Sequence, residues 1–322
     1  MKALVVSRLS PDLSGCAVEE VAEPAPGAGQ LLVRVRAAAL NYPDLLMTRG
    51  EYQLKPPLPF IPGMEIAGEV IAAGADSGFA VGDRVVAGTR TGGFAEVAVC
   101  AETAARGIPD RLDFAEAAAV GAAYLTAYVA LVRLGGMEPG DWVVVHGATG
   151  GVGLAAVDLA KAMGARVIAT SRSAEKLRVV AQDYATDATL TVPGFREAVK
   201  EITDGGADLI FDPVGGDVFD ESTRCIAFGG RLLVVGFTSG RIAEVPANIP
   251  LIKGFSVVGV RAGEYGRRFP EKGAENLDAI WRLAAEGRIR PRVDRRFALD
   301  DWHAAFETMR ESAMVGKLVI EP

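Results

Sequence analysis

Along the first 110 residues, short valine-rich runs such as Leu31-Leu32-Val33-Arg34-Val35, Gly68-Glu69-Val70-Ile71 and Arg84-Val85-Val86 alternate with Gly/Pro turns, a pattern that predicts a β-rich domain with long loops. From Phe114 the chain becomes Ala-rich and helical. From Asp141 onward, short apolar runs predict strands over 142–145, 166–169, 207–211, 231–235 and 256–260. Amphipathic helices are predicted between them at 152–163, 174–182 and 195–202. That alternation is a βαβ series, which implies a parallel sheet with right-handed crossovers. Beyond Gly263 two helices, 274–286 and 301–312, precede a last strand, 317–320. This tail is too small for a core of its own and is expected to pack back onto the N-terminal β domain. The expected division is therefore an α/β protein with a β domain at 1–120, completed by 264–322, and a doubly wound parallel-sheet domain at 121–263, with a ligand cleft between them.

Length agrees with that division, since 322 residues exceed one ordinary core. A net charge of -7 argues against a nucleic-acid partner. The chain opens on an apolar run that reads as a strand and lacks a signal-peptide pattern. The longest uncharged stretch, residues 117–132, falls short of the ~20 apolar residues of a membrane span and reads as a buried helix, so no membrane partner is expected. Three cysteines, Cys16, Cys100 and Cys225, are scattered and odd in number, which suits a reducing cytoplasm.

The chemistry concentrates at Trp142-Val143-Val144-Val145-His146-Gly147-Ala148-Thr149-Gly150-Gly151-Val152-Gly153, read as strand, glycine turn and helix start. Glycines at 147, 150 and 153 let backbone N–H groups approach a pyrophosphate at the positive end of a helix. An acidic residue at the end of the second strand would select NAD. Here that strand ends Thr170-Ser171-Arg172, with Lys176 one helical turn on, and these donors suit the 2′-phosphate of NADPH. The competing reading is that Arg172 and Lys176 only solvate a helix start. Metal ligands are scarce: His146 and His303 are the only histidines, and neither has a cysteine or a second histidine at ligand spacing.

Together these features resemble the medium-chain dehydrogenase/reductase superfamily, within it the zinc-free quinone oxidoreductases related to zeta-crystallin. The resemblance is carried by Ala39-Leu40-Asn41-Tyr42-Pro43-Asp44, Pro59-Phe60-Ile61-Pro62-Gly63-Met64-Glu65-Ile66-Ala67-Gly68, Leu125-Thr126-Ala127-Tyr128, the glycine loop, and Phe211-Asp212-Pro213-Val214-Gly215-Gly216. In zinc alcohol dehydrogenases, metal ligands typically stand where this chain has Asn41 and Met64. The resemblance implies a GroES-like β domain, a Rossmann domain and a homodimer through the last Rossmann strand. It implies nicotinamide beside Asn41, Thr126, Val214 and the Gly236-Phe237 turn, with Val260, Arg261 and Ala262 near the same end. Gly150, Gly151 and Val152 would meet the pyrophosphate, and Ser171, Arg172 and Lys176 the 2′-phosphate.

Two departures bear on the acceptor: relatives often carry tyrosines where this chain has Leu46 and Val192. Tyr52 is retained and is the preferred polar group beside the substrate. The expected reaction is hydride transfer to a quinone or similar conjugated carbonyl. Tyr52, Asn41 or water would meet the resulting anion. The alternatives are an NADPH-dependent enoyl reductase, for which Arg261, Arg267 and Arg268 would form a basic entrance, and a non-catalytic NADPH-binding protein.

Overall fold

A computed structural model describes all 322 residues and divides them into two compact units, Met1–Gly121 with Pro291–Pro322, and Ala122–Arg290. In the first unit, seven strands form one sheet around the long strand Gln30–Leu40. Its exposed Arg34 and Arg36 alternate with buried Val33 and Val35, as the twofold strand repeat requires. The last strand, Lys317–Glu321, pairs antiparallel with it in the register Leu318 to Leu40. The strand Glu65–Ala72 pairs with it in the register Ala38 to Ile66. The chain's C-terminus is thus woven into the N-terminal sheet, and Phe94 and Phe306 meet edge to face in the core beneath.

The second unit holds six parallel strands in the order Ala188–Thr191, Arg166–Ser171, Trp142–Val145, Ala207–Asp212, Ile226–Val234, Ser256–Gly259. Numbered along the chain, this is the 3-2-1-4-5-6 order of a doubly wound dinucleotide fold. Five of these strands were anticipated. The edge strand Ala188–Thr191 was not, because four residues of alternating exposure carry no apolar run. The short helices Gly216–Ser222, Asn248–Lys253 and Ala262–Arg268 also fall below the window over which helical periodicity is readable. In the first unit the helix Tyr42–Arg49 was missed although its punctuation is written out: the Asp44 carboxylate reaches back to accept the Asn41 amide, Pro43 lies in the first turn, and Gly50 ends it at φ 74°.

The predicted boundary at 263/264 is corrected to Arg290/Pro291. The helix Pro270–Ala285 buries Ile280, Trp281 and Ala284 within the second unit. Arg133 donates to Asn276 Oδ1 at 2.6 Å and to Glu275 Oε2 at 2.7 Å. The carboxylate of Asp158 accepts both the Tyr124 hydroxyl and the Arg290 amide. Only residues 291–322 complete the β unit. The length argument against a membrane span is also corrected. The helical stretch Phe114–Leu134 has 21 residues, and what marks it as a core helix is that more than half of its most apolar window is buried inside the protein.

Candidate active site

In the second unit the glycine turn performs three separate jobs. Gly147 adopts φ 57°, which an L side chain rarely takes. At Gly153 a Cβ would lie 2.1 Å from the Gly147 carbonyl oxygen, so helix and strand can cross only with glycine there. Gly150 differs, because its backbone is extended and a Cβ would meet nothing nearer than 3.5 Å. Neither conformation nor packing asks for glycine at 150, and the space left open is what a ligand's approach requires. The helix Gly151–Ala162 that follows has no side-chain cap, so the donors of its first turn, including Gly151 and Val152, face outward as a ready anion site. The residues therefore fit a dinucleotide pyrophosphate.

The remaining candidates of this unit line up along one edge of the sheet. Ser171 ends the second strand and Arg172 and Lys176 follow it, Val214 follows the fourth, Gly236 and Phe237 the fifth, and Val260, Arg261 and Ala262 the sixth. This carboxyl edge is where open α/β sheets bind ligands. Ser171 Oγ lies 3.2 Å from Thr149 Oγ1, Arg172 is exposed, and Lys176 occupies the first turn of a helix capped by Ser173. Thr170 departs from the expectation. It is fully buried, with Oγ1 2.7 Å from His146 Nδ1, so it turns away from any phosphate. Thr126 sits inside the helix Phe114–Tyr128 with its hydroxyl donating to the Ala122 carbonyl, which leaves it an acceptor.

His146 is a core residue. Burial drives its pKa from 6.5 to about 3. Ser222 Oγ donates to the Val218 carbonyl and therefore accepts from His146 Nε2, which assigns the neutral Nε2–H tautomer with Nδ1 accepting from Thr170. The sign of its effect follows: a group held neutral when folded contributes stability above 6.5 that is lost as pH falls toward 3. In His146→Gln, the destabilisation relative to the parent should therefore shrink on acidification through that window, by at most about 1.4 kcal/mol per pH unit. Urea midpoints across pH check this, and a constant difference would contradict it.

Sequence reasoning gave no role to Asp212, at the end of the fourth strand. It is buried, and its Oδ1 accepts from the Val214 and Gly215 amides at 2.8 and 2.9 Å while Oδ2 has no partner. Burial raises its pKa against the pull of those two amides. It shapes the turn that presents Val214. A buried-strand run, Leu209-Ile210-Phe211, that closes on a carboxylate was the available signal.

In the first unit, Asn41 and Tyr52 behave differently. Tyr52 is half-buried, packs against the β-unit core, and its hydroxyl has no partner within the protein. Asn41 is buried, and both of its amide hydrogens are committed. Its Nδ2 donates to Glu65 Oε2 at 2.9 Å and to the Ala39 carbonyl at 3.3 Å, and its Oδ1 accepts from Lys317 Nζ at 2.7 Å. With both amide hydrogens spent, Asn41 cannot be the donor expected for a substrate anion. Asp44 beside it accepts the Asn41 and Gly63 amides, and burial pushes its pKa up to about 7. No three His, Cys, Asp or Glu side chains are grouped as a metal would need.

Residues 27–128 match the alcohol dehydrogenase GroES-like domain, and residues 151–279 the zinc-binding dehydrogenase domain. A quinone oxidoreductase-like protein 2 homolog of Nematostella vectensis is 41% identical over 91% of this chain and 82% of that protein. The quinone oxidoreductase of Homo sapiens is 31% identical over 94% of this chain and 92% of its own length.

The chain belongs to the quinone oxidoreductase branch of the medium-chain dehydrogenase/reductase superfamily.

Among solved structures, the quinone oxidoreductase of Thermus thermophilus, described also in complex with NADPH, matches the whole of both chains at a TM-score of 0.87 and 32% identity. A probable oxidoreductase from Mycobacterium abscessus gives a TM-score of 0.91 at 38% identity, covering 100% of this chain and 99% of that one. For this quinone oxidoreductase relative, the fold and both domain types agree with what the residues implied.

Proposed function

We propose that this chain transfers hydride from NADPH to a quinone or similarly conjugated carbonyl acceptor without a metal. The observation that carries the reading is the turn in which Gly150 is required by neither packing nor conformation and so leaves room for a pyrophosphate. The relative described with NADPH supports the choice of cofactor. NADPH, when bound, supplies the hydride. Gly151 and Val152 offer amides to the pyrophosphate, Ser171, Arg172 and Lys176 offer donors to the 2′-phosphate, and Thr126, Val214, Gly236, Phe237, Val260, Arg261 and Ala262 serve the nicotinamide end.

Hydride addition to a quinone leaves negative charge on a ring oxygen, which a positioned donor stabilises. The Tyr52 hydroxyl, free of protein partners on a half-buried side chain, is assigned that task. Tyr52→Phe should lower kcat with a benzoquinone by about tenfold, below the effect of a sealed oxyanion hole because the side chain is only half-buried, and leave NADPH affinity unchanged. Steady-state kinetics with a parallel cofactor titration check this. A kcat within about twofold of the parent would remove Tyr52 from the mechanism.

The enoyl-thioester alternative loses ground because Glu264 holds both Arg267 and Arg268 in ion pairs, which spends much of the basic entrance that reading needs. The lack of any three-residue ligand group supports a metal-free reaction. A homodimer is supported by the free edge strand Ser256–Gly259 with Val257 exposed, beside Phe228 at 89%, Leu251 at 80% and Ile252 at 75% exposure. Sedimentation equilibrium showing only monomer at micromolar protein would contradict it. Three buried free thiols suit the cytoplasm, and fractionation of cells producing the protein tests that placement.

A further inference from the structure

Asn41, Asp44, Glu65 and Lys317 form a linked group of buried polar side chains in the otherwise apolar core of the β unit. The sheet register explains how they meet. Asn41 follows the central strand, with Lys317 delivered from the strand on one side and Glu65 from the strand on the other. Glu65 is seated against the backbone of Gly121, where a Cβ would come within 2.5 Å of Oε1. The Lys317 ammonium is 3.4 Å from Glu65 Oε2, a loose contact for an ion pair, and 2.7 Å from Asn41 Oδ1. Buried ion pairs often return less than their desolvation costs, and apolar replacements are often as stable. The better hydrogen bonds in this group go to the amide, not between the charges.

We propose that Lys317 and Glu65 are positioning residues that lock the Asn41 carboxamide in one orientation, so that Asn41 is solely an acceptor. Of the amide's hydrogen-bonding capacity, both hydrogens and one lone pair of Oδ1 are committed within the protein. One lone pair of Oδ1 remains. The group Asn41 meets during turnover must then bring an N–H or O–H of its own, which a carboxamide, a sugar hydroxyl or a hydroquinone can do and a quinone carbonyl cannot. Without the ammonium on one side and the carboxylate on the other, the amide can turn over and present its hydrogens instead. The inference rests on the reading of the chain as an NADPH-dependent reductase.

The test uses the full chain and three variants. Lys317→Arg keeps the charge. Lys317→Met removes it but strands Glu65, so Lys317→Met/Glu65→Gln is included to avoid an orphaned buried charge if the single variant fails to fold. NADPH affinity by fluorescence, and kcat and KM for a benzoquinone, are measured for each. They are repeated with the reduced 3-acetylpyridine analogue of NADPH, whose acetyl group has no N–H. We expect the neutral variants to lose at least about tenfold in kcat/KM for NADPH with the quinone KM unchanged, and Lys317→Arg to recover most of the loss. If the partner is the cofactor's carboxamide, the loss vanishes with the analogue; if it is a sugar hydroxyl, the loss persists. Folded neutral variants with parental kinetics, or a change confined to the quinone KM, would overturn the inference. A parent that oxidises no NADPH with any acceptor would instead defeat the functional reading on which it rests.

Discussion

Replacing Gly153 by alanine is expected to weaken NADPH binding by on the order of a hundredfold and to lower the melting temperature at the same time. The added Cβ would stand 2.1 Å from the Gly147 oxygen and 2.7 Å from its carbonyl carbon, and neither is the movable end of a side chain. Helix Gly151–Ala162 must therefore shift away from the strand Trp142–Val145, carrying the first-turn amides with it. Displacement of a binding group by about an ångström is enough for an effect of that size. Overpacking of this kind costs stability as well, by about 1–3 kcal/mol. Gly150→Ala separates the two consequences. Its Cβ meets nothing in the protein nearer than 3.5 Å, so the melting temperature should hold while NADPH binding falls. Fluorescence titration and thermal melts of both variants read the difference. Parental NADPH affinity in Gly150→Ala would show that the open space is not where the cofactor lies.

The second large effect is expected at Arg172. It is exposed, directly follows the second strand of the parallel sheet, and is the guanidinium assigned above to the 2′-phosphate. A charge-assisted hydrogen bond contributes about 1.5–3 kcal/mol. Since about 1.4 kcal/mol is tenfold, Arg172→Ala should lose roughly 10- to 100-fold in kcat/KM with NADPH. With NADH, which has no 2′-phosphate, it should change less than about twofold. The variant would thus narrow the cofactor preference chiefly by losing NADPH. Equal losses with both cofactors would mean that Arg172 holds the turn together and does not read the phosphate.

How far the sequence could carry these conclusions depends on the distance over which each interaction acts. The glycine turn was legible because all of its parts lie within about a dozen residues, and strand, turn and helix each leave a local pattern. The position of Thr170 was not. Successive strand residues face opposite sides, and which side meets a phosphate was settled by His146, buried 24 residues earlier in the chain. Asn41 shows the limit most clearly. The sequence marked it as a site residue, yet its role turned from donor to acceptor because Lys317, 276 residues away, is brought beside it by the last strand. The boundary at Arg290 was lost for a similar reason. The helix Pro270–Ala285 is amphipathic whichever unit it packs on, and long-range contacts such as the bond from Arg133 to Asn276 and that from the Arg290 amide to Asp158 show which.

The central claim is that this chain passes hydride from NADPH to a conjugated carbonyl, with quinones preferred. Its most direct test is the rate of NADPH oxidation by the purified chain, freed of metal by chelation, with benzoquinones, a simple enone and crotonyl-CoA assayed in parallel. The account predicts turnover with the quinones, weaker turnover with the enone, little with the thioester, and no dependence on the chelator. Turnover of the thioester alone, or saturable NADPH binding with no oxidation by any acceptor, would contradict it.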